Sequence, residues 1–108
     1  MPELGEIEPT ALKARLDRGN RVFILDVREP AETALASFPG AINIPMGELP
    51  ARLTELDPAR ETVVVCHHGI RSAQVAIYLV RMGFRRVLNL SGGIAAWSQT
   101  VDPTTPRY

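Results

Sequence analysis

An α/β layer fold is predicted by three features of the sequence. Two short apolar runs, Val22-Phe23-Ile24-Leu25 and Val63-Val64-Val65, have the composition of strands buried on both faces of a parallel sheet. Stretches with helical spacing of apolar residues alternate with them along the chain. No internal repeat is visible, so one set of strands and helices accounts for all 108 residues.

Composition bounds the function. At 108 residues, 45% of them hydrophobic and 22% charged, the chain is long enough to bury a core without disulfides or a structural metal. The formal net charge is zero and the arginines are scattered, which argues against a nucleic-acid partner. No apolar run has the length of a membrane span, and the first residues are acidic where a secretory signal is basic. No membrane partner and a cytoplasmic location are therefore expected. The single cysteine cannot form an intrachain disulfide, and with only His67 and His68 beside it there is no spaced ligand set for zinc, so neither a structural disulfide nor structural zinc is expected.

Taken in order, Glu6-Ile7-Glu8 reads as a short first strand, and Pro9 opens a helix to about Arg18 with Leu12 and Leu16 on one face, closed by Gly19. Arg21 to Val27 holds the first buried run and ends in the charged Asp26-Val27-Arg28. Pro30 to Ala36 reads as a weak alanine-rich helix stopped by Ser37-Phe38-Pro39-Gly40, and Ala41 to Ile44 as a short strand. Leu49, Leu53 and Leu56 lie on one face of a helix ended by Asp57-Pro58.

The second buried run breaks off at Cys66, followed by His67-His68-Gly69-Ile70-Arg71-Ser72. A largely buried helix then runs from Ser72 to about Met82, with Ala73, Ala76, Ile77 and Val80 on its stripe and Val75 and Leu79 widening it. Gly83 stops it and Phe84 packs back on its last turn. Arg86 to Leu90 is a strand, Ser91-Gly92-Gly93 a turn, and Ile94 to about Ser98 a last short helix. Residues 1–100 make a single domain, and the proline-marked 101–108 read as an extended C-terminal tail.

Cys66 therefore falls at the carboxyl end of a buried strand, the edge where open α/β sheets bind ligands. Loop amides and the start of the next helix place partial positive charge around the sulfur and lower its pKa, into a range of about 3.5 to 7.5 for reactive cysteines. The same amides and Arg71 form a cradle for an anion, with the guanidinium able to hold an oxyanion through two parallel bonds. Four residues separate Cys66 from Arg71, one fewer than in the cradles of cysteine phosphatases. The shorter loop suits a single transferred atom better than a tetrahedral phosphate. Attack of the thiolate on the outer sulfur of thiosulfate expels sulfite, a good leaving group that needs no general acid, and leaves a cysteine persulfide.

Cys66 to Ser72, Asp26-Val27-Arg28, Pro39-Gly40-Ala41-Ile42-Asn43-Ile44-Pro45 and Asn89-Leu90-Ser91-Gly92-Gly93-Ile94-Ala95-Ala96-Trp97 resemble, in order and spacing, the successive signatures of a single rhodanese-like sulfurtransferase domain. The resemblance spans almost the whole chain. It implies a five-stranded, mostly parallel sheet flanked by helices on both faces, a catalytic Cys66 that carries sulfane sulfur, and a six-residue active loop from Cys66 to Arg71. It implies no metal or organic cofactor. Where many relatives carry Gly-His-Ile before Pro39-Gly40, this chain has Ala36-Ser37-Phe38. The Cys-His-His-Gly start of the loop and the closing Asp102-Pro103 with Pro106-Arg107-Tyr108 resemble rhodanese domains attached to, or working beside, enzymes that adenylate sulfur-carrier proteins.

Within that reading Arg71, His67, His68, Gly69, Ile70 and Ser72 form the substrate-binding loop. The two imidazoles shape its rim, Gly69 is there for its backbone, and Ser72 caps the helix or donates to the anion, capping being the simpler role. Asp26 and Arg28 are expected as an ion pair supporting the loop, since a carboxylate against the thiol raises its pKa. The expected partners are a small sulfur anion such as thiosulfate and a cyanide or thiol acceptor, with a cysteine desulfurase or sulfur-carrier system as the macromolecular alternative. The competing readings are a sulfur-relay module, a cysteine phosphatase or arsenate-reductase-like enzyme, and a non-catalytic interaction domain.

Overall fold

The computed structural model describes residues 2–108. Five strands, β1 (Glu3–Ile7), β2 (Phe23–Asp26), β3 (Ile42–Asn43), β4 (Thr62–Val65) and β5 (Arg86–Leu90), form one sheet in the order β1-β5-β4-β2-β3. Every pairing in it is parallel. All four residues of β4 are buried, which fits its central place and the unbroken apolar run that encodes it.

Period-two alternation divides the core between the two faces of the sheet. Val64 and Cys66 point to the face where Leu25, Leu49, Val75, Leu79 and Phe84 pack, under α3 (Leu49–Arg52) and α4 (Ile70–Arg81). Val63 and Val65 point to the other face, with Leu12 of α1 (Pro9–Asp17) and Ile94 and Trp97 of α5 (Gly93–Thr100). The chain leaves β2 through α2 (Pro30–Leu35) toward β3, whereas it leaves β4 through α4 toward β5 on the opposite side. That divergence opens a crevice at the carboxyl ends of β2 and β4, the position where α/β sheets hold ligands.

Several boundaries differ from the sequence reading for physical reasons. The first strand runs Glu3–Ile7 rather than around Glu6 to Glu8, because pairing with β5 from Glu3 opposite Arg86 to Ile7 opposite Leu90 sets its length. Its mostly exposed, polar residues gave no apolar signal. The helix expected over 49–56 is a 3₁₀ turn at Met46–Glu48, one α turn at Leu49–Arg52 and a second 3₁₀ turn at Leu53–Glu55. Leu49 and Leu56 are buried as their spacing requires, but so short a segment has little cooperative hold on pure α geometry.

The α4 helix begins at Ile70, two residues early, with Gly69 at its cap in the left-handed region at φ 93°. It lies against one face of the sheet only, so Val75, Ala76 and Leu79 are buried while Ile77 is 43% exposed. It is amphipathic, not largely buried. Residues 101–108, read as an extended tail, turn at Val101 and again at 103–105 and fold back on the domain. The Ser98 hydroxyl donates to the carbonyl of the buried Thr105 at 2.7 Å.

Candidate active site

The loop from Cys66 to Arg71 is shaped by two glycines and by the first turn of α5. Gly93 has φ 61°, and a Cβ there would lie 2.4 Å from the Cys66 carbonyl oxygen and 2.5 Å from that of His67. Only glycine allows α5 to come this close. The amides of Ile94 and Ala95 then donate to the carbonyls of Cys66 and His67 at 2.9 and 3.0 Å. A peptide plane that aims its C=O at α5 aims its N–H the other way, so the contact at the His67 carbonyl turns the His68 amide toward the sulfur.

Cys66 is 1% exposed, at the floor of the loop. Its Sγ accepts from the Gly69 amide at 3.1 Å, the Ser72 amide at 3.4 Å and the Ser72 hydroxyl at 3.3 Å. Burial pushes the thiol pKa up, but the Ser72 hydroxyl and the amides of Ser72, Gly69 and His68 outweigh it, and the net displacement is downward. The donors are all neutral, and no carboxylate bonds the sulfur.

Ser72 is fully buried and does not cap α4: its hydroxyl stands between Cys66 Sγ and Asn89 Oδ1, the latter at 2.5 Å. Its one proton can be given to either. Asn89 is held in turn by donating to the Gly69 carbonyl at 3.0 Å and to Glu6. Asn89 opened one of the family signatures but was given no site role from the sequence, although a polar residue inside the run Val87-Leu88-Asn89-Leu90 was a usable signal.

The Arg71 guanidinium, at the loop's other end, makes a bidentate pair with Glu32 of α2, at 2.6 and 2.9 Å. The Arg71 bonds hold the Glu32 carboxyl down at about 2 despite partial burial. Glu32 also accepts from the Glu29 amide at 3.2 Å and the Tyr108 hydroxyl at 2.9 Å. The phenol oxygen accepts in turn from Arg28 at 2.9 Å. Arg28 is completely buried and forks onto Asp26, with Nη2 to Oδ2 at 2.7 Å and Nε to Oδ1 at 3.0 Å. Asp26 and Arg28 thus form a buried ion pair linked through Tyr108 and Glu32 to Arg71. Neither Glu32 nor Tyr108 was assigned to the site from the sequence, where Tyr108 entered only through the resemblance of the closing residues.

His67 is stacked between His68 and Tyr108, both ring centroids 3.9 Å away. Burial, then the neighbouring His68, lowers its pKa, so His67 is neutral near pH 7. His68 is exposed, and Ile70, 71% exposed, forms the lip. A cleft of about 180 Å³ lies beside the loop, between His67, His68, Ala95, Gln99 and Tyr108. Among the described residues no group of histidine, cysteine and carboxylate side chains is arranged to hold a metal ion, and no helix is long and apolar enough to cross a membrane.

Residues 8–100 match the family model described as a rhodanese-like domain. A sulfurtransferase of Allochromatium vinosum is 41% identical over 89% of this chain and 90% of its own. A putative sulfurtransferase of Bacillus subtilis is 38% identical over 94% of this chain and 97% of its own. Among solved structures, a rhodanese-like domain protein of Staphylococcus aureus superposes with a TM-score of 0.82 at 33% identity, covering 98% of both chains.

Proposed function

The chain belongs to the rhodanese-like domain family, and from that premise we propose that it moves one sulfane sulfur atom from thiosulfate or a persulfide donor to a thiophilic acceptor through a persulfide on Cys66. The observation that carries this reading is the Cys66 sulfur at the floor of a six-residue loop, bonded only by neutral amides and a hydroxyl. A Pseudomonas fluorescens relative, 34% identical over 99% of this chain, bears the name thiosulfate sulfurtransferase, which supports thiosulfate as one donor.

In the first half-reaction the Cys66 thiolate attacks the outer sulfur of the donor. A new S–S bond forms, the donor's S–S bond breaks, and its electron pair leaves on sulfite or on a thiolate. The amides that stabilise the thiolate are then available to the terminal sulfur of the persulfide, which carries the same charge. Arg71 orients the arriving anion at the mouth. In the second half-reaction the acceptor attacks the terminal sulfur, and the electron pair of the Cys66–sulfur bond returns to the thiolate. Gly69, Ile70 and Ser72 shape and line the loop, His67 and His68 its rim, and Asp26 with Arg28 its support.

The test is thiocyanate formation from thiosulfate and cyanide by the purified protein, against a Cys66→Ala control. Activity no greater than the control removes the thiosulfate version. A sulfur-relay role in the cytoplasm is the second reading, favoured by the exposed His68 and Ile70 at the lip, which a protein partner can reach. Incubation with a cysteine desulfurase and its substrate then adds one sulfur atom to Cys66 by intact mass, and no gain rejects that role.

A further inference from the structure

We infer that Glu32 is a specificity-determining residue that selects sulfur donors by their charge, disfavouring a dianion such as thiosulfate relative to a singly charged persulfide. This rests on the sulfur-transfer reading and adds to it the feature that chooses the donor.

The anion-binding cation of the loop is not free. Each terminal nitrogen of Arg71 gives one of its two N–H groups to Glu32, so the guanidinium meets a donor while already paired with a carboxylate. The carboxylate is itself fixed, with Oε1 accepting from Arg71 and the Glu29 amide and Oε2 from Arg71 and Tyr108. Four bonds hold the carboxylate in place beside Arg71. The nearby Arg28 supplies no spare charge, because its own is matched by Asp26. With Cys66 as thiolate, Glu32 offsets Arg71 at the mouth, and Arg107, on the cleft beside the loop, is a cation outside that pair.

Thiosulfate brings two more negative charges to that mouth, and a persulfide brings one. Repulsion from the Glu32 carboxylate scales with the donor's charge, so it weighs twice as heavily on thiosulfate. Both transfers balance: thiolate and thiosulfate give Cys66 persulfide and sulfite, while thiolate and an alkyl persulfide give Cys66 persulfide and an alkyl thiolate. Glu32 touches none of the reacting atoms. Its effect belongs in KM and not in kcat.

The experiment compares wild type and Glu32→Gln with two donors, thiosulfate and cysteine persulfide, following sulfur delivered to cyanide. In Glu32→Gln the KM for thiosulfate falls by about fivefold and that for the persulfide by about twofold, as expected for removal of one surface charge near the site. The kcat values hold, and added salt raises the variant's thiosulfate KM more than the wild type's. Tyr108→Phe, which removes one donor to the carboxylate without touching Arg71, shifts the donor ratio less and in the same direction. An unchanged or raised thiosulfate KM in Glu32→Gln, or equal shifts for both donors, overturns the proposal. Wild-type protein that transfers sulfur from neither donor rejects the sulfur-transfer reading and the proposal with it. Transfer from both donors at a ratio insensitive to Glu32 rejects the proposal alone.

Discussion

The carboxyl ends of β2 and β4 lie side by side in the sheet and each buries a group that can be an anion, but by opposite means. At β2, Asp26 is neutralised by a buried arginine that forks onto it. At β4, Cys66 is met by amide dipoles and one hydroxyl, with no full positive charge bonded to the sulfur. A cation in direct contact stabilises a thiolate more than neutral dipoles do and so blunts it further as a nucleophile. The first arrangement suits a strut, the second a nucleophile.

Removing the nucleophile is the largest break in this contrast: Cys66→Ala gives no thiocyanate above background while its circular dichroism spectrum is that of the wild type. Next comes the strut. Arg28→Met strands the buried Asp26 carboxylate and lowers unfolding free energy by about 3–5 kcal/mol, measured by urea denaturation. Gly93→Ala forces α5 away from the Cys66 and His67 carbonyls, with a loss of about 2 kcal/mol and a thiol that titrates at higher pH in the rate of alkylation by iodoacetamide.

Ser72→Ala sharpens the comparison without breaking the fold. It removes the one hydroxyl donor to the sulfur, so the thiol pKa rises and transfer near neutral pH slows by about tenfold. The smallest effect is at Glu32. Its carboxyl is held at about 2, below its ordinary value, so the Arg71 pair stabilises the fold above roughly pH 4.5 and that contribution is lost as pH falls toward 2. The pair is partly open to solvent, and Glu32→Gln lowers stability by only about 0.5 kcal/mol at pH 7, a difference from wild type that vanishes in acid.

The sequence carried the strands β2 and β4, the helix after Cys66 and the loop that joins them, because each is written in contiguous residues: an apolar run, a period, a cysteine and an arginine at fixed spacing. The ion pair of Asp26 and Arg28 was legible for the same reason, two residues apart on one strand end. Glu32 and Tyr108 were not. Glu32 reaches Arg71 across 39 positions, and Tyr108 reaches Glu32 and Arg28 across 76 and 80. A glutamate on a short helix without buried residues reads as a solvated charge, and a tyrosine after two prolines reads as a tail. Gly93 passed as a turn residue because what it approaches, the backbone of Cys66 and His67, lies 26 positions or more away in sequence. The exposed Ile77 shows the converse error: helical spacing identified an apolar stripe but not which edge of it the sheet would cover.

That close approach of Gly93 also sets an order of events during biosynthesis. The Cys66 and His67 carbonyls are engaged by amides of Ile94 and Ala95, which leave the ribosome almost thirty residues after the cysteine. Until α5 has emerged and docked, the contact that turns the His68 amide inward is missing, and the Cys66 sulfur lacks one of its donors. The full set of donors to the sulfur therefore assembles only when the domain is complete. A nascent or truncated chain ending before Gly93 carries the cysteine without that anchor, and its thiol titrates at higher pH than in the complete domain.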